Sequence, residues 1–395
     1  MDVLIDLSYG DAGKGRMIDY LMNHYDMVCR FNGGSNSGHV VVYQGVKHTF
    51  HILPSGILHK KICIIGNGCV VNPISLMTEL LETKDKVDFN PLDYIILSDK
   101  AHLITPCEIM MDKIKDEVQG IGTTKSGNGV AYARKASREG FRVSDLFLKD
   151  DDGEYTFEDK YRLYFEDVYK SKYFDGLSNE KFFEAVNFIR ENISVKKTEY
   201  IINDAIKDGK KIICEGAQGT LLEIDFGTYP YVTSSSTISA SACIGLGVSP
   251  KQIDKVYGVT KCYTTRVGNG EFETELGGEL SAMLVELGGE YGSTTGRKRR
   301  VGWLNLKELQ YAIMLNGVTD MCITKFDILS HFETFSVMNL NGVMVVFESW
   351  GDCNFTSWDD APKTFKDFII YLETELDVNV SYMSIGRDRN QLITK

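Results

Sequence analysis

Short apolar runs that break into glycine or a polar turn, and then into a helix-like pattern, recur along this 395-residue chain. Residues 3–7 run toward Gly10, 62–65 toward Gly66 and 212–214 toward Gly216, and 321–323 lead into Thr324-Lys325-Phe326-Asp327. A strand–loop–helix rhythm of this kind predicts an α/β fold with a large, mostly parallel central sheet flanked by helices. Such a sheet binds ligands at the loops leaving the carboxyl ends of its strands. Helical spacing is expected over 16–23, 74–81, 181–193, 304–315 and 365–376. The stretch 149–199 is charged, rich in Tyr and Phe, and free of glycine loops, which predicts a helical insertion or subdomain. With 7 prolines, no repeat and no low-complexity linker, residues 1–395 are expected to form one domain carrying that insertion.

No segment approaches the roughly 20 apolar residues of a membrane span. The opening Met1-Asp2-Val3-Leu4-Ile5-Asp6 lacks the basic start and apolar core of a secretion signal, so a cytoplasmic protein is expected, with no membrane partner. Nine cysteines, none in a CxxC pair, read as reduced and mostly buried thiols. A net charge of -12 argues against a nucleic-acid partner. Arg297-Lys298-Arg299-Arg300 is a local positive pocket within that acidic chain.

Gly10-Asp11-Ala12-Gly13-Lys14-Gly15-Arg16 follows the first strand and opens a helix. Glycines let backbone N–H groups turn toward a phosphate, the helix N-terminus adds a favourable dipole, and Lys14 adds a full charge. The standard phosphate loop has a hydroxyl after its lysine; here Gly15 stands there, and Asp11 is left as the oxygen ligand for magnesium. Asn32-Gly33-Gly34-Ser35-Asn36-Ser37-Gly38-His39 is a second small-residue loop, whose His39 is placed to donate to a phosphoryl oxygen. His24, His48, His51, His59, His102 and His331 read as structural, and no pair has zinc-ligand spacing. Lys325 and Asp327 resemble a guanine reader. A carboxylate accepts from the ring N–H and 2-amino group that adenine lacks as a pair, while the lysine stem covers the base.

In order along the chain, these loops and several further segments resemble the adenylosuccinate synthetase family. Gly10–Arg16 resembles GDEGKGK, Asn36–His39 resembles NAGH, and His51–Leu58 resembles HLIPSGIL. Gly122-Thr123-Thr124, Gly129, Ala131-Tyr132 and Arg138 resemble GTT…GPAY…R. Glu215–Leu222 is close to EGAQGTLLD, residues 227–235 match GTYPYVTSS, and residues 292–300 match GATTGRRRR. The resemblance implies that family's fold, with a P-loop-like GTP site, and GTP-dependent ligation of L-aspartate to C6 of IMP through a 6-phosphoryl intermediate.

The resemblance also implies roles. Asp11 takes the N1 proton and binds magnesium with Gly38, His39 and Lys14 assist phosphoryl transfer, and Gln218 contacts the base edge. Asn36, Thr124, Thr233, Gln218 and Arg297 hold the purine nucleotide, with Arg138 reaching in from the second subunit of a homodimer. Ser293, Thr294, Thr295, Arg297 and Arg299 grip aspartate, since paired arginines suit its carboxylates. Gly10, Gly13, Lys14, Gly15, Gly38, Arg299, Lys325, Asp327, Ser384 and Gly386 bind GTP.

The chain departs from the family's pattern at Asp6-Leu7-Ser8-Tyr9 (for GTQW), at Ala12 (for glutamate), at Lys125-Ser126-Gly127-Asn128 (for GRGI), at Val130 and at Arg387 (each for proline). These changes keep a second substrate open. A related branch performs the same chemistry on dGMP, giving N6-succino-2-amino-dAMP for 2-aminoadenine DNA. Asp11 favours IMP, because that branch typically lacks the loop aspartate, whereas Ser8 and Ala12 leave room for a 2-amino group. A non-catalytic GTP-binding regulator is the alternative from another class; it has no need of Asp11, His39 or Gln218.

Overall fold

The computed structural model describes residues 1–120, 122–169, 179–292 and 296–395. Ten strands form the main sheet: β1 (Asp2–Asp6), β2 (Met27–Arg30), β3 (Ile62–Ile65), β4 (Ile95–Ser98), β5 (Ser194–Lys196), β6 (Ile212–Glu215), β7 (Val256–Lys261), β8 (Asp320–Thr324), β9 (Asn379–Ser384) and β10 (Leu392–Thr394). Their order is β10-β9-β8-β7-β1-β6-β2-β3-β4-β5. Every neighbouring pair is parallel except β9 and β10.

The strand sequences explain why the sheet is covered on both faces. Side chains alternate across a strand with period two. In β1, Val3 and Ile5 join one apolar cluster while Leu4 joins the other; in β6, Ile212 and Cys214 oppose Ile213; in β8, Met321 and Ile323 oppose Cys322. Continuous apolar runs are therefore what a doubly covered parallel sheet requires. All nine cysteines are free thiols, and seven are buried.

The expected helices are present with shifted ends. α1 is Lys14–Leu21, beginning two residues early because Gly13, at φ 104°, turns the chain straight into the helix. Others are Pro73–Lys84, Glu180–Asn192, Leu306–Asn316 and Lys363–Leu376. Pro73–Lys84 starts where the Asn72 side chain accepts from the backbone N–H of Ile74 and Ser75, followed by proline at the first helical position.

The stretch 149–199 holds helices Phe157–Tyr169 and Glu180–Asn192, but it also supplies β5, which was not expected there and which extends the sheet edge beside β4. Residues 170–178 of that stretch lie outside the described residues. No helix among the described residues is long and apolar enough to cross a membrane.

Candidate active site

β6 lies between β1 and β2 although it comes after both in the chain, so the connections leaving these three neighbours converge at one end of the sheet. The glycine loop after β1 is built around Asp6. Its carboxylate accepts from Ser8 N–H and Oγ at 2.9 Å each, from Gly10 N–H at 3.2 Å, from Ala12 N–H at 2.9 Å and from Lys14 Nζ at 3.2 Å. Lys14 also donates to the Gln218 carbonyl at 2.5 Å, tying this loop to the one after β6. The loops meet backbone to backbone: a Cβ on Gly219 would lie 2.3 Å from the Ser8 carbonyl oxygen. No side chain caps α1, which leaves its first N–H groups available to an anion.

His39 opens a strand, His39–Tyr43, that pairs with Val46–Phe50 outside the main sheet. Its Nδ1 bonds the fully buried carboxylate of Glu215, at the end of β6, and that carboxylate also accepts from Ser55 N–H at 2.8 Å and Oγ at 2.5 Å. A carboxylate acceptor assigns the proton to Nδ1. Nε2 is buried with no partner among the described residues. Burial pushes the His39 pKa down, Glu215 opposing. Burial alone would raise Glu215, but His39, Arg30 and Ser55 hold it below the usual carboxylate range. The α1 backbone packs against this histidine so closely that a Cβ on Gly15 would meet the His39 Cβ at 2.9 Å.

A cavity of about 220 Å³ opens over these loops. It gathers Gly10, Asp11, Lys14, Asn36, Gly38, His39, Thr124, Gln218, Thr233 and Arg297, all expected site residues. Gln218 Nε2 donates to Asn36 Oδ1 at 2.7 Å, while Gln218 Oε1 is buried without a partner among the described residues. Eight described non-glycine residues adopt positive φ, and four of them are expected site residues: Asp11 (60°), Arg138 (68°), Gln218 (59°) and Lys325 (71°). Such backbone costs of order 1 kcal/mol or more per residue and gathers at functional sites.

Other expected residues stand apart from the cavity. Arg138 is exposed at the end of the helix Asn128–Ser137 and does not line the cavity. Ser293, Thr294 and Thr295 lie outside the described residues.

Gly13, Lys325, Asp327, Ser384 and Gly386 sit at the ends of β8 and β9 and beside them. The hydroxyl of Thr324, the last residue of β8, donates to the Ala12 carbonyl at 2.7 Å and so links this group to the glycine loop. Arg16 donates to the Asp388 and Gln391 carbonyls at 2.6 and 2.9 Å. Burial brings Arg16 down to about 10, with Asp327, Asp388 and Asp19 opposing.

Arg299 bridges the two groups. One guanidinium nitrogen is 2.6 Å from Asp11 and another 2.6 Å from Glu290. Glu290, fully buried, also contacts Lys261 at 2.8 Å and Tyr263 at 2.5 Å, with Lys325 at 4.0 Å. Burial would raise Glu290, but Lys261, Lys325 and Arg299 bring it down to about 2; burial brings Lys261 down to about 8.

Sequence reasoning assigned nothing to Asp6, Glu215 or Glu290. For the first two a signal existed: each is a lone carboxylate ending an apolar strand run, and a carboxylate is almost never buried unless it is paired.

Comparison with known proteins identifies the family. The adenylosuccinate synthetase family model matches residues 3–342. The chain is 41% identical to the adenylosuccinate synthetase of Flavobacterium johnsoniae, covering 100% of both. It is also 41% identical to that of Porphyromonas gingivalis, covering 100% of this chain and 99% of the relative. The fully ligated adenylosuccinate synthetase of Plasmodium falciparum superposes with a TM-score of 0.91 at 33% identity, covering 100% of this chain and 99% of that one. A cyanophage S-2L succinoaminodeoxyadenylate synthetase bound to dGMP and dATP superposes at 0.66 with 19% identity, over 100% and 94% of the two chains, a likeness of fold alone. This chain belongs to the adenylosuccinate synthetase family of ligases, which form a carbon–nitrogen bond.

Proposed function

We propose that the chain joins L-aspartate to C6 of IMP while converting GTP to GDP and phosphate. The observation that carries this reading is the convergence of Asp11, Lys14, His39 and Gln218 on one cavity from loops after three neighbouring strands. The full-length relatives named adenylosuccinate synthetase favour IMP over dGMP and catalysis over GTP sensing.

Asp11 accepts the N1 proton of IMP as O6 attacks the γ-phosphorus, and GDP leaves. The aspartate amine then attacks C6, and phosphate leaves with the former O6. His39 is held at Nδ1 by Glu215 and leaves Nε2 for the transferring group; burial disfavours a second proton on the ring, which the charge of an incoming phosphate would favour again. Lys14 supplies a fixed cation for charge that builds on the phosphoryl oxygens. Gln218 Oε1 and Asn36 read the purine nucleotide, Thr124, Thr233 and Arg297 hold its outer parts, and Arg299 with 293–295 takes aspartate. Lys325, Asp327, Ser384 and Gly386 take the guanine end of GTP.

The residues present fit a magnesium ion. Asp11 and Gly38 offer hard oxygen to the same cavity. No cluster of three or more His, Cys, Asp or Glu side chains suited to a metal occurs among the described residues; magnesium is commonly held by one or two carboxylates together with substrate phosphates. When bound, it would neutralise phosphate charge.

We read the working form as a homodimer in which Arg138, exposed and outside the lining of this cavity, would serve the cavity of a second copy. Residues 149–199 act as an insertion of a single domain: Phe157, Tyr161 and Phe182 share a core cluster with Ile18 of α1.

The test is isotopic. IMP carrying ¹⁸O at C6 should release ¹⁸O-labelled phosphate; unlabelled phosphate beside succinylated product would remove the 6-phosphoryl step.

A further inference from the structure

We propose that Glu290 is a positioning residue of the ligation reaction, aligning Arg299 and Lys325 together and so linking the aspartate grip to the guanine reader. The inference rests on the function proposed above and deepens it.

The Glu290 carboxylate is fully buried and divided between its partners. Oε2 takes Lys261 at 2.8 Å and Arg299 at 2.6 Å, while Oε1 takes the Tyr263 hydroxyl at 2.5 Å and stands 4.0 Å from Lys325. The Arg299 backbone N–H also donates to the Glu290 carbonyl at 2.9 Å, so side chain and main chain register the same arginine. The far nitrogen of that guanidinium pairs with Asp11. One anion therefore faces three cations, two of which belong to different substrate subsites. Packing alone does not explain it. A side chain needed only to fill space there would be apolar, because a buried carboxylate is retained only against charged partners.

The consequence is selective. Among the described residues no hydrogen bond or ion pair joins Asn36, Thr124, Gln218 or Thr233 to Glu290, Arg299, Lys261 or Lys325; the cluster meets the purine nucleotide through Asp11, whose proposed part is in the N1 proton transfer and not in holding the nucleotide. Glu290→Gln keeps the shape and removes the charge, leaving Lys261, Arg299 and Lys325 without their shared counter-ion. Among the described residues Arg299 then keeps Asp11 as its anionic partner. The variant is expected to raise the KM for aspartate and for GTP about tenfold each, with the KM for IMP unchanged within twofold. Tyr263→Phe removes one hydrogen bond and leaves the charge in place, so it should shift the same two constants by a smaller factor. It carries the test alone if the first variant does not fold.

The experiment measures the three KM values of wild type and both variants, with calorimetric titration of GTP into each folded chain. A rise confined to aspartate and GTP, with weaker GTP binding, supports the assignment. Three unchanged KM values, an equal rise in all three, or a loss of kcat alone would overturn it. A wild type that makes no succinylated product would instead defeat the proposed function, while calorimetry would still read the Lys325 arm.

Discussion

The Lys14 ammonium stands 3.2 Å from the Asp6 carboxylate, and both side chains are almost wholly buried. Asp6 is thus the counter-ion of the proposed phosphate-binding lysine and also the acceptor that shapes its loop. Asp6→Asn leaves Lys14 buried and unneutralised. Breaking one partner of such a pair costs about 3–5 kcal/mol. Urea unfolding should show a loss of that order, with weaker GTP binding. A loss below about 0.5 kcal/mol, the range of a neutral surface substitution, would contradict it.

Glu215 is joined to the proposed phosphoryl-transfer chemistry through His39. Glu215→Gln should keep the Ser55 contacts while weakening the hold on the ring, lowering kcat by roughly 100-fold with KM values little changed. Steady-state kinetics at saturating substrates read this; a wild-type kcat would exclude the histidine from phosphoryl transfer.

Asp327 is proposed to accept two donors from guanine. Asp327→Asn presents a donor where an acceptor stood, so the KM for GTP should rise by roughly 100-fold or more, since a site left with unpaired polar groups discriminates strongly. XTP, which offers an acceptor at C2, should gain relative to GTP. Equal losses with both nucleotides would remove Asp327 from base reading.

His102 supplies a pH dependence of stability. Burial, aided by Lys135, Arg142 and Arg134, pushes its pKa down to about 4. Above pH about 6.5 the imidazole is neutral in folded and unfolded chains alike, and no stability is lost. Between about 6.5 and 4 only the unfolded chain takes the proton, so stability falls as pH falls. Below about 4 both forms are protonated and the loss stops growing. His102→Gln should flatten this part of the acid limb, read by urea midpoints at pH 7 and pH 5. An unchanged difference between those midpoints would show that His102 titrates normally in the folded chain.

Much of this candidate site was legible because each loop proposed to meet phosphate carries its own local signal, an apolar strand run breaking into glycines, as at Gly10–Gly15 and Asn32–His39. The sheet was legible for the same reason, although β4 and β7 lack a glycine loop of that kind and β5 hides in a charged stretch. What stayed hidden depends on pairings between distant positions. Lys14 meets the Gln218 carbonyl across 204 residues, and His39 meets Glu215 across 176. Glu290 lies in Gly-Gly-Glu-Tyr, where nothing local distinguishes a buried hub from a solvated turn.

The central claim is that the cavity above β1, β2 and β6 ligates aspartate to the C6 position of IMP. The purified chain, given GTP, magnesium and aspartate with IMP or dGMP in parallel reactions, tests it most directly by mass spectrometry of the products. The account predicts adenylosuccinate from IMP with stoichiometric GDP and phosphate, abolished by Asp11→Asn with folding intact. Succinylated product from dGMP alone, or from neither purine, would contradict it.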